Sequence, residues 1–528
     1  MNCLKEQVNE LLKELSFADN IEDDMKLRDD LDIDSLRLVE FITRLEDSFD
    51  IQFEMSDLNP SGLNIVADVY TLMGKYVSEK GNNKLYRWLS EAMVEYPQKT
   101  LSDEQDSITY EEILQFAKSF SSELTAQKYG VLCQSELNAA KATLACFSAG
   151  CTAVPLSFRY GETHTTHIIE SMQLSYIITD KSGSPEVEQI ASESLEPENL
   201  SNIALILCTS GTAGKPKGAM LTQDGIIANI SGIEQYFCIN STDRILVSRP
   251  LYHCAVMMGE FLVSLRKGMD IVFSNREFNP SHLEELIHKK SISVLCGTPT
   301  LLYYLCRLTL RLKKPPALRI VAVSGECMTN AIAKLICEAL PNVLVYNVYG
   351  LTEAGPRVSY LPPDLFNQHP TSVGIPVDGI TVKTEDNELL VSGESIMRGY
   401  YNDIEGTNRV LADGWLHTGD IAEFVDGMIT IKGRKDDMII RAGMNIYPCE
   451  IEEAVKKDDR IEEAIAFGML EGITQKIHLN VVSDKLFLPE IMHICRKELP
   501  PYAIPDVLEI VESIPRNASG KIIRTQND

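Results

Sequence analysis

Apolar residues near the amino terminus recur at helical intervals. Val8, Leu11, Leu12 and Leu15 form one series and Leu36, Val39, Ile42, Leu45 and Phe49 a second, so each predicts an amphipathic helix. A third group, Ile65, Val66, Val69, Leu72 and Tyr76, closes before the polar, glycine-containing stretch "SEKGNNK" at 78–84, which suits a linker. Residues 1–80 thus read as a small helical bundle. Further on, the pattern changes to short apolar runs bounded by turn residues. "ALILCT" at 204–209, "NVLVY" at 342–346 and "EAIAFGML" at 463–470 have strand character, and Ile451, Ala454 and Val455 mark a late helix. A chain of 528 residues exceeds what one core supports, so at least three units are expected.

Charge narrows the partners. The chain has 76 acidic and 49 basic residues, a net charge of −27, which repels phosphate backbones and excludes a general nucleic-acid footprint. Residues 1–80 alone carry 19 acidic and 8 basic residues, a net −11 that suits docking onto basic patches. The 13 cysteines include no CxxC pair and no histidines at zinc-finger spacing, so reduced thiols in a cytoplasmic protein are expected. The amino-terminal segment lacks the apolar core of a signal peptide, and no stretch reaches membrane-spanning length, so no membrane association is expected.

Two stretches carry candidate chemistry. "LDIDSLRLVE" at 31–40 sets Asp34 and Ser35 where the second helical pattern begins. Both residue types cap helices, and a helix N-terminus also stabilises an attached phosphate through its free amides. "TSGTAGKPKG" at 209–218 follows a strand and precedes a predicted helix. Its glycines let main-chain amides approach an anion, Thr209, Ser210 and Thr212 add hydroxyls, and Lys215 and Lys217 add positive charge. The spacing of Gly211 and Gly214 is not that of a Walker loop, and a flexible connection is the alternative reading.

The small acidic helical unit with "DSL" opening its second helix resembles the acyl carrier protein family over residues 5–80. The resemblance implies that Ser35 carries a 4'-phosphopantetheine arm, attached by a phosphopantetheinyl transferase. The remaining chain resembles the AMP-forming acyl-adenylate family, which includes acyl-CoA synthetases and nonribosomal adenylation domains. The motifs are the loop at 209–218, "NVYGLTEAG" at 347–355, "GWLHTGDIA" at 414–422, "GRKDDMIIRAGMNIYPCEIE" at 433–452 and "PRNASGKIIR" at 515–524. One departure is Ala213, where the family more often has a hydroxyl residue.

Together the resemblances imply a multidomain fold. A four-helix carrier bundle spans 1–80, an α/β large domain of stacked sheets, helices and a small distorted barrel spans 84–435, and a small α+β domain that rotates spans 436–528. They also imply ATP and Mg²⁺ as cofactors. Thr209, Ser210, Gly211, Thr212, Lys217 and Thr352 would contact phosphates and Glu353 would help hold Mg²⁺. Gly325, Glu326, Asn347 and Tyr349 would flank adenine, Asp420 would accept the ribose hydroxyls, and Arg434 would contact the nucleotide nearby. Lys521 would bridge acyl carboxylate and α-phosphate, Asp436 would be the hinge, and Gly443 would line the thiol tunnel. His253 would gate the acyl pocket. The implied reaction converts a small carboxylic acid to acyl-AMP and passes it to a carrier thiol, for use by downstream condensing or tailoring enzymes. Free CoA as acceptor is the alternative.

In amino-acid-activating relatives an aspartate in the segment matching "SRPLYHCAVMMGEF" pairs with the substrate ammonium. Here His253 and Cys254 stand there, so an aryl or aliphatic acid is expected. Met257, Met258 and Phe261 are pocket or core. Arg357, just after "TEAGP", is either a surface arginine or a contact for the far end of the acid.

Overall fold

The computed structural model describes residues 2–16, 18, 20–49, 53, 63–73, 83–158, 162–190, 200–209, 216–274, 279–314, 316–441, 444–471 and 474–516. They form two compact units, Met1–Lys84 and Leu85–Asp528. In the first, helices Asn2–Ser16 and Ser35–Phe49 and a helical segment at 66–73 enclose a core built on Val8, Leu12, Phe41, Leu45, Val66, Val69 and Met73. Three helical segments are therefore in place among the described residues; the fourth that a carrier bundle requires is not among them. The second helix departs from its expected face at Val39, which is 61% exposed, because Phe41 and Leu45 turn inward and Leu38 and Ile42 pack beside them.

The second unit contains two large sheets. In one, six strands run parallel in the spatial order Leu344–Tyr349, Ile320–Val323, Val294–Gly297, Arg244–Val247, Asp270–Phe273 and Thr100–Ser102, with antiparallel strands at both edges. Their continuous apolar character follows from burial on both faces: each residue of Val294–Gly297 and Ile320–Val323 is buried. The chain runs from Arg244–Val247 to its neighbour Asp270–Phe273, then jumps back over Arg244–Val247 to begin Val294–Gly297 on its other side. Strand order thus reverses between Arg244–Val247 and Val294–Gly297. Ligands of open α/β sheets bind beyond the carboxyl ends of the strands at such a reversal.

The opposite edge is a clamp. Asp243, 3% exposed, precedes the strand Arg244–Val247 and accepts hydrogen bonds from Ser293 Oγ at 2.8 Å, from the Asn240 amide at 2.9 Å and from both sides of the Arg319 guanidinium. Ser293 and Arg319 immediately precede the strands Val294–Gly297 and Ile320–Val323, so one carboxylate ties three strand starts together.

The second sheet includes the hairpin Ile203–Thr209 and Lys217–Thr222, with Gly399–Tyr400 beside it. This corrects the expected strand-loop-helix order around the phosphate loop. The apolar residues Ala219, Met220 and Leu221 complete a second strand, paired antiparallel with Ile203–Thr209, before helix Gln223–Tyr236 begins. A smaller sheet pairs Trp415–Val425 with Met428–Arg434. The carboxyl-terminal part has its own core, with Ile439, Ile451, Ile477, Leu479 and Ile491 joining helices Pro448–Val455 and Leu488–Glu498 to three strands.

Burial alone would raise the Asp243 carboxyl, but Arg319, Ser293 and the Asn240 amide overcome it and hold the group below its ordinary range. A carboxyl depressed in the fold stabilises it above the ordinary carboxylate range and loses that contribution as pH falls through its lower folded value. Asp243→Ala is therefore expected to cost about 3 kcal/mol at neutral pH in denaturant unfolding. The deficit should shrink below about pH 4.

Candidate active site

Antiparallel register places the first pair. Asp420 on Trp415–Val425 stands opposite Arg434 on Met428–Arg434, and Arg434 Nη1 donates to Asp420 Oδ1 at 3.1 Å. The Tyr349 hydroxyl, from the carboxyl end of a large-sheet strand, donates to Asp420 Oδ2 at 2.5 Å. Thr418 orients the aspartate from behind: its Oγ1 accepts from the Asp420 amide at 3.0 Å and donates to the Leu389 carbonyl at 2.7 Å. Burial and the adjacent Asp420 push the Tyr349 phenol well up, so it remains a donor. Burial disfavours the Arg434 charge, and Asp420 overcomes it. Three residues named from sequence thus meet directly, with Asp420 only 7% exposed.

A second group forms around Tyr400, which sequence reading missed. Its hydroxyl donates to Glu353 Oε1 at 2.9 Å, and Lys217 Nζ lies 4.9 Å from its ring centroid. The pairing of Tyr400 with Ala219 brings the ring beside the strand that Lys217 starts. Burial and Glu353 raise the phenol, so Tyr400 too is a donor at neutral pH. Thr209 pairs with Lys217 across the hairpin, and Thr352 opens the short 3-10 turn that holds Glu353. The charge of Arg434 acts on both Asp420 and Glu353, so the two groups are electrostatic neighbours. No local sequence signal distinguishes Tyr400, because its position is set by its strand pairing with Ala219, far back in the chain.

The residues expected around adenine divide. Gly325 has φ +92°, a conformation that favours glycine, and follows the strand Ile320–Val323. The Glu326 carboxylate accepts from Thr300 Oγ1 at 2.7 Å and from Arg516 Nη1 at 3.3 Å. Arg516 also donates to Glu463 at 3.2 Å, and Tyr304 OH donates to the same Glu463 at 3.3 Å. The Asn347 amide nitrogen donates to the carbonyls of Ser372 and Pro370 at 2.8 and 3.2 Å. The side chains of Glu326 and Asn347 are thus held in place by these bonds.

His253 stands just before a short helix, its ring 4.1 Å from that of Tyr252. The helix runs into a π-helical turn, Met257–Leu262, in which Met257, Met258 and Phe261 are buried. Such turns are frequent at functional sites. Glu260 of that turn pairs with Arg249 at 2.7 Å, beside the strand reversal. Arg357 is not a surface arginine: it is 2% exposed.

Asp436 lies exposed in the turn after Arg434, where the neighbouring Lys435 pairs with Glu388 at 2.9 Å. In the amino-terminal unit Asp34 Oδ1 accepts from the Arg37 amide at 2.9 Å, so Asp34 is the helix cap and Ser35 is the first helical residue. Ser210, Gly211, Thr212, Gly443 and Lys521 lie outside the described residues. Among the described residues no group of three or more His, Cys, Asp or Glu is arranged to hold a metal, and no helix is long and apolar enough to cross a membrane.

Comparison with known proteins agrees with this geometry. The model of the AMP-binding enzyme family matches residues 89–401, that of the AMP-binding enzyme C-terminal domain matches 450–521, and that of the phosphopantetheine attachment site matches 4–66. A long-chain-fatty-acid–CoA ligase of Salmonella typhimurium is 31% identical over 345 residues, 62% of this chain and 61% of that protein. The match therefore spans about three fifths of that relative's length. A feruloyl-CoA synthase of an Amycolatopsis species is 28% identical over 414 residues, 72% of this chain and 84% of that protein. Among solved structures, the o-succinylbenzoate coenzyme A synthetase of Bacillus subtilis in complex with ATP and magnesium ion aligns with a TM-score of 0.73 and 25% identity, over 83% of this chain and 98% of that one. ATP-bound MatB from Rhodopseudomonas palustris shares the fold, with a TM-score of 0.72 and 22% identity over 84% of this chain and 97% of that one. With its large-domain match covering more than half of its length and a phosphopantetheine attachment domain ahead of it, this chain belongs to the AMP-binding enzyme family.

Proposed function

We propose that this chain is an acid–thiol ligase that activates a small carboxylic acid with ATP and loads it onto a phosphopantetheine thiol carried at Ser35. The observation that carries the reading is the union, in one chain, of an AMP-binding site and a phosphopantetheine attachment domain. In the first half-reaction a carboxylate oxygen attacks the α-phosphorus of ATP, the bond to the bridging oxygen breaks, and pyrophosphate leaves. In the second the thiol loses its proton and attacks the acyl carbon, and AMP leaves.

The charged groups fit those steps. Asp420, braced by Tyr349, Arg434 and Thr418, keeps acceptor capacity on both oxygens for ribose hydroxyls. Mg²⁺ is held by few carboxylates when substrate phosphates supply the remaining oxygens, which suits a site with Glu353 and no protein-only ligand cluster. When bound, the ion neutralises charge on the departing pyrophosphate. Thr209 and Lys217, with Ser210, Gly211 and Thr212 between them, would hold the phosphates, Thr352 adds a hydroxyl, and the main chain at Gly325 and Tyr349 would flank adenine. Lys521 would stabilise the charge building between acid and α-phosphate. Arg516 anchors the chain five residues before that lysine onto Glu326, which supports delivery of Lys521 to the nucleotide side.

We assign the carrier domain to 1–80, the large domain to 84–435 and a rotating small domain to 436–528, with Asp436 as hinge and Gly443 in the thiol tunnel. His253 would gate the acid, and an α-amino acid is disfavoured because Glu260, the acid of its segment, is spent on Arg249. Downstream condensing or tailoring enzymes would take the product. A second reading, free CoA as acceptor, is favoured by the curated relatives, which are CoA ligases. Robust acyl-CoA formation by Ser35→Ala from ATP, acid and CoA would support it.

Two outcomes test the assignment. Lys521→Ala is expected to lower acyl-AMP formation at least 100-fold while sparing thioester formation from pre-made acyl-AMP, and Gly443→Trp to do the reverse; single-turnover assays of each half-reaction read both. Asp420→Asn, which loses the charge on a buried acceptor, should raise the KM for ATP about tenfold or more in a pyrophosphate-release assay.

A further inference from the structure

Among the described residues Arg357 is the largest side chain that is completely buried, at 2% exposure. Among the described residues no carboxylate lies within 4.0 Å of its guanidinium. Of its five N–H donors, one is given at 3.1 Å to the carbonyl of the neighbouring Pro356, and the Tyr236 hydroxyl lies beside the group. One buried carboxylate serves two guanidinium groups here: Glu260, fully buried, pairs with Arg249 at 2.7 Å and also feels the charge of Arg357, which leaves one positive charge in excess. A guanidinium kept from water without a carboxylate is costly, and a planar two-oxygen anion is its natural complement.

Three features show that the group is built into place. Its main-chain carbonyl accepts from Asn229 Nδ2 at 2.9 Å, which fixes the residue against helix Gln223–Tyr236. Its guanidinium lies flat against Gly259, where an added Cβ would stand 2.6 to 3.0 Å from Nη2, Cζ and Nη1. Gly259 belongs to the π-helical turn Met257–Leu262, which follows His253 in the segment that the proposed function assigns to the acyl side of the site. The position is also close to the chemistry: Arg357 follows Glu353 by four residues, and the charges of both act on the one thiol of Cys254.

We propose that Arg357 is an anion-binding residue of the acyl pocket and that the acid activated is a short dicarboxylic acid, whose second carboxylate pairs with this guanidinium while the first meets ATP. The inference rests on the adenylating reading of the site and deepens it by naming the substrate class. It also accounts for Gly259, since any side chain there would displace the guanidinium, and it adds a second reason against an α-amino acid, whose ammonium Arg357 would repel.

The test is acid-dependent pyrophosphate release by the full-length chain with matched pairs: succinate against butyrate, glutarate against valerate, adipate against hexanoate, and phthalate against benzoate. At least one dicarboxylate is expected to exceed its monocarboxylate partner tenfold or more in kcat/KM. Arg357→Gln should lower that ratio about 100-fold, and Gly259→Ala should lower it too. Should Arg357→Gln fail to fold, Gly259→Ala and the wild-type ratio decide. A wild-type preference for monocarboxylates, or a ratio unchanged in a folded Arg357→Gln, overturns the proposal while leaving adenylation intact. Absence of acid-dependent release with every acid overturns the adenylating reading and the proposal with it.

Discussion

The structure depends on gathering donors and an opposite charge around one buried carboxylate. Asp420 and Arg434 face each other across an antiparallel pair, and the Tyr349 hydroxyl reaches the same carboxylate from another sheet. Each partner offsets the desolvation of the next, so the carboxylate is both aimed and preserved as an acceptor. Glu353 with Tyr400 and Lys217 repeats the device a short way off. Neither group would hold without the frame. The Asp243 clamp fixes three strand starts at one edge of the large sheet, and this leaves the opposite edge, where strand order reverses, free to carry polar chemistry.

Asp420, Arg434, Tyr349 and Glu353 stand out in the sequence only because the short runs that hold them resemble family motifs, and the structure joins them as neighbours or near neighbours. Helical periodicity also located the amino-terminal core, although Val39 was misread because one turn of rotation is invisible when Phe41 and Leu38 offer an alternative face. The hairpin at the phosphate loop was missed for a related reason. "KGAMLT" is too short to show a period, and only its pairing with Ile203–Thr209 identifies it as a strand.

Other parts of the site have no sequence signature because they arise from long-range contact. Tyr400 matters through a neighbour strand, Arg516 through Glu326 far back in the chain, and Arg357 through the absence of a side chain at Gly259. Asp34 shows the converse: sequence left Asp34 and Ser35 as equal candidates for a cap, and the backbone assigns that task to Asp34. Ser35 is then a first-turn residue at a helix N-terminus, where an attached phosphate is electrostatically favoured. The Arg516 ion pairs tie the carboxyl-terminal part to the Glu326 loop, so the rotation proposed above would require the bond to Glu326 to break.

The central claim is that one chain both activates the acid and carries the thiol that receives it. Intact-protein mass spectrometry tests it most directly: the full chain is converted with a phosphopantetheinyl transferase and CoA, freed of CoA, and given ATP with an accepted acid. The account predicts a pantetheinyl mass increment followed by an ATP-dependent acyl increment, both absent in Ser35→Ala. A chain that releases pyrophosphate with that acid yet never gains the acyl mass, and instead makes acyl-CoA when CoA is returned, would contradict it.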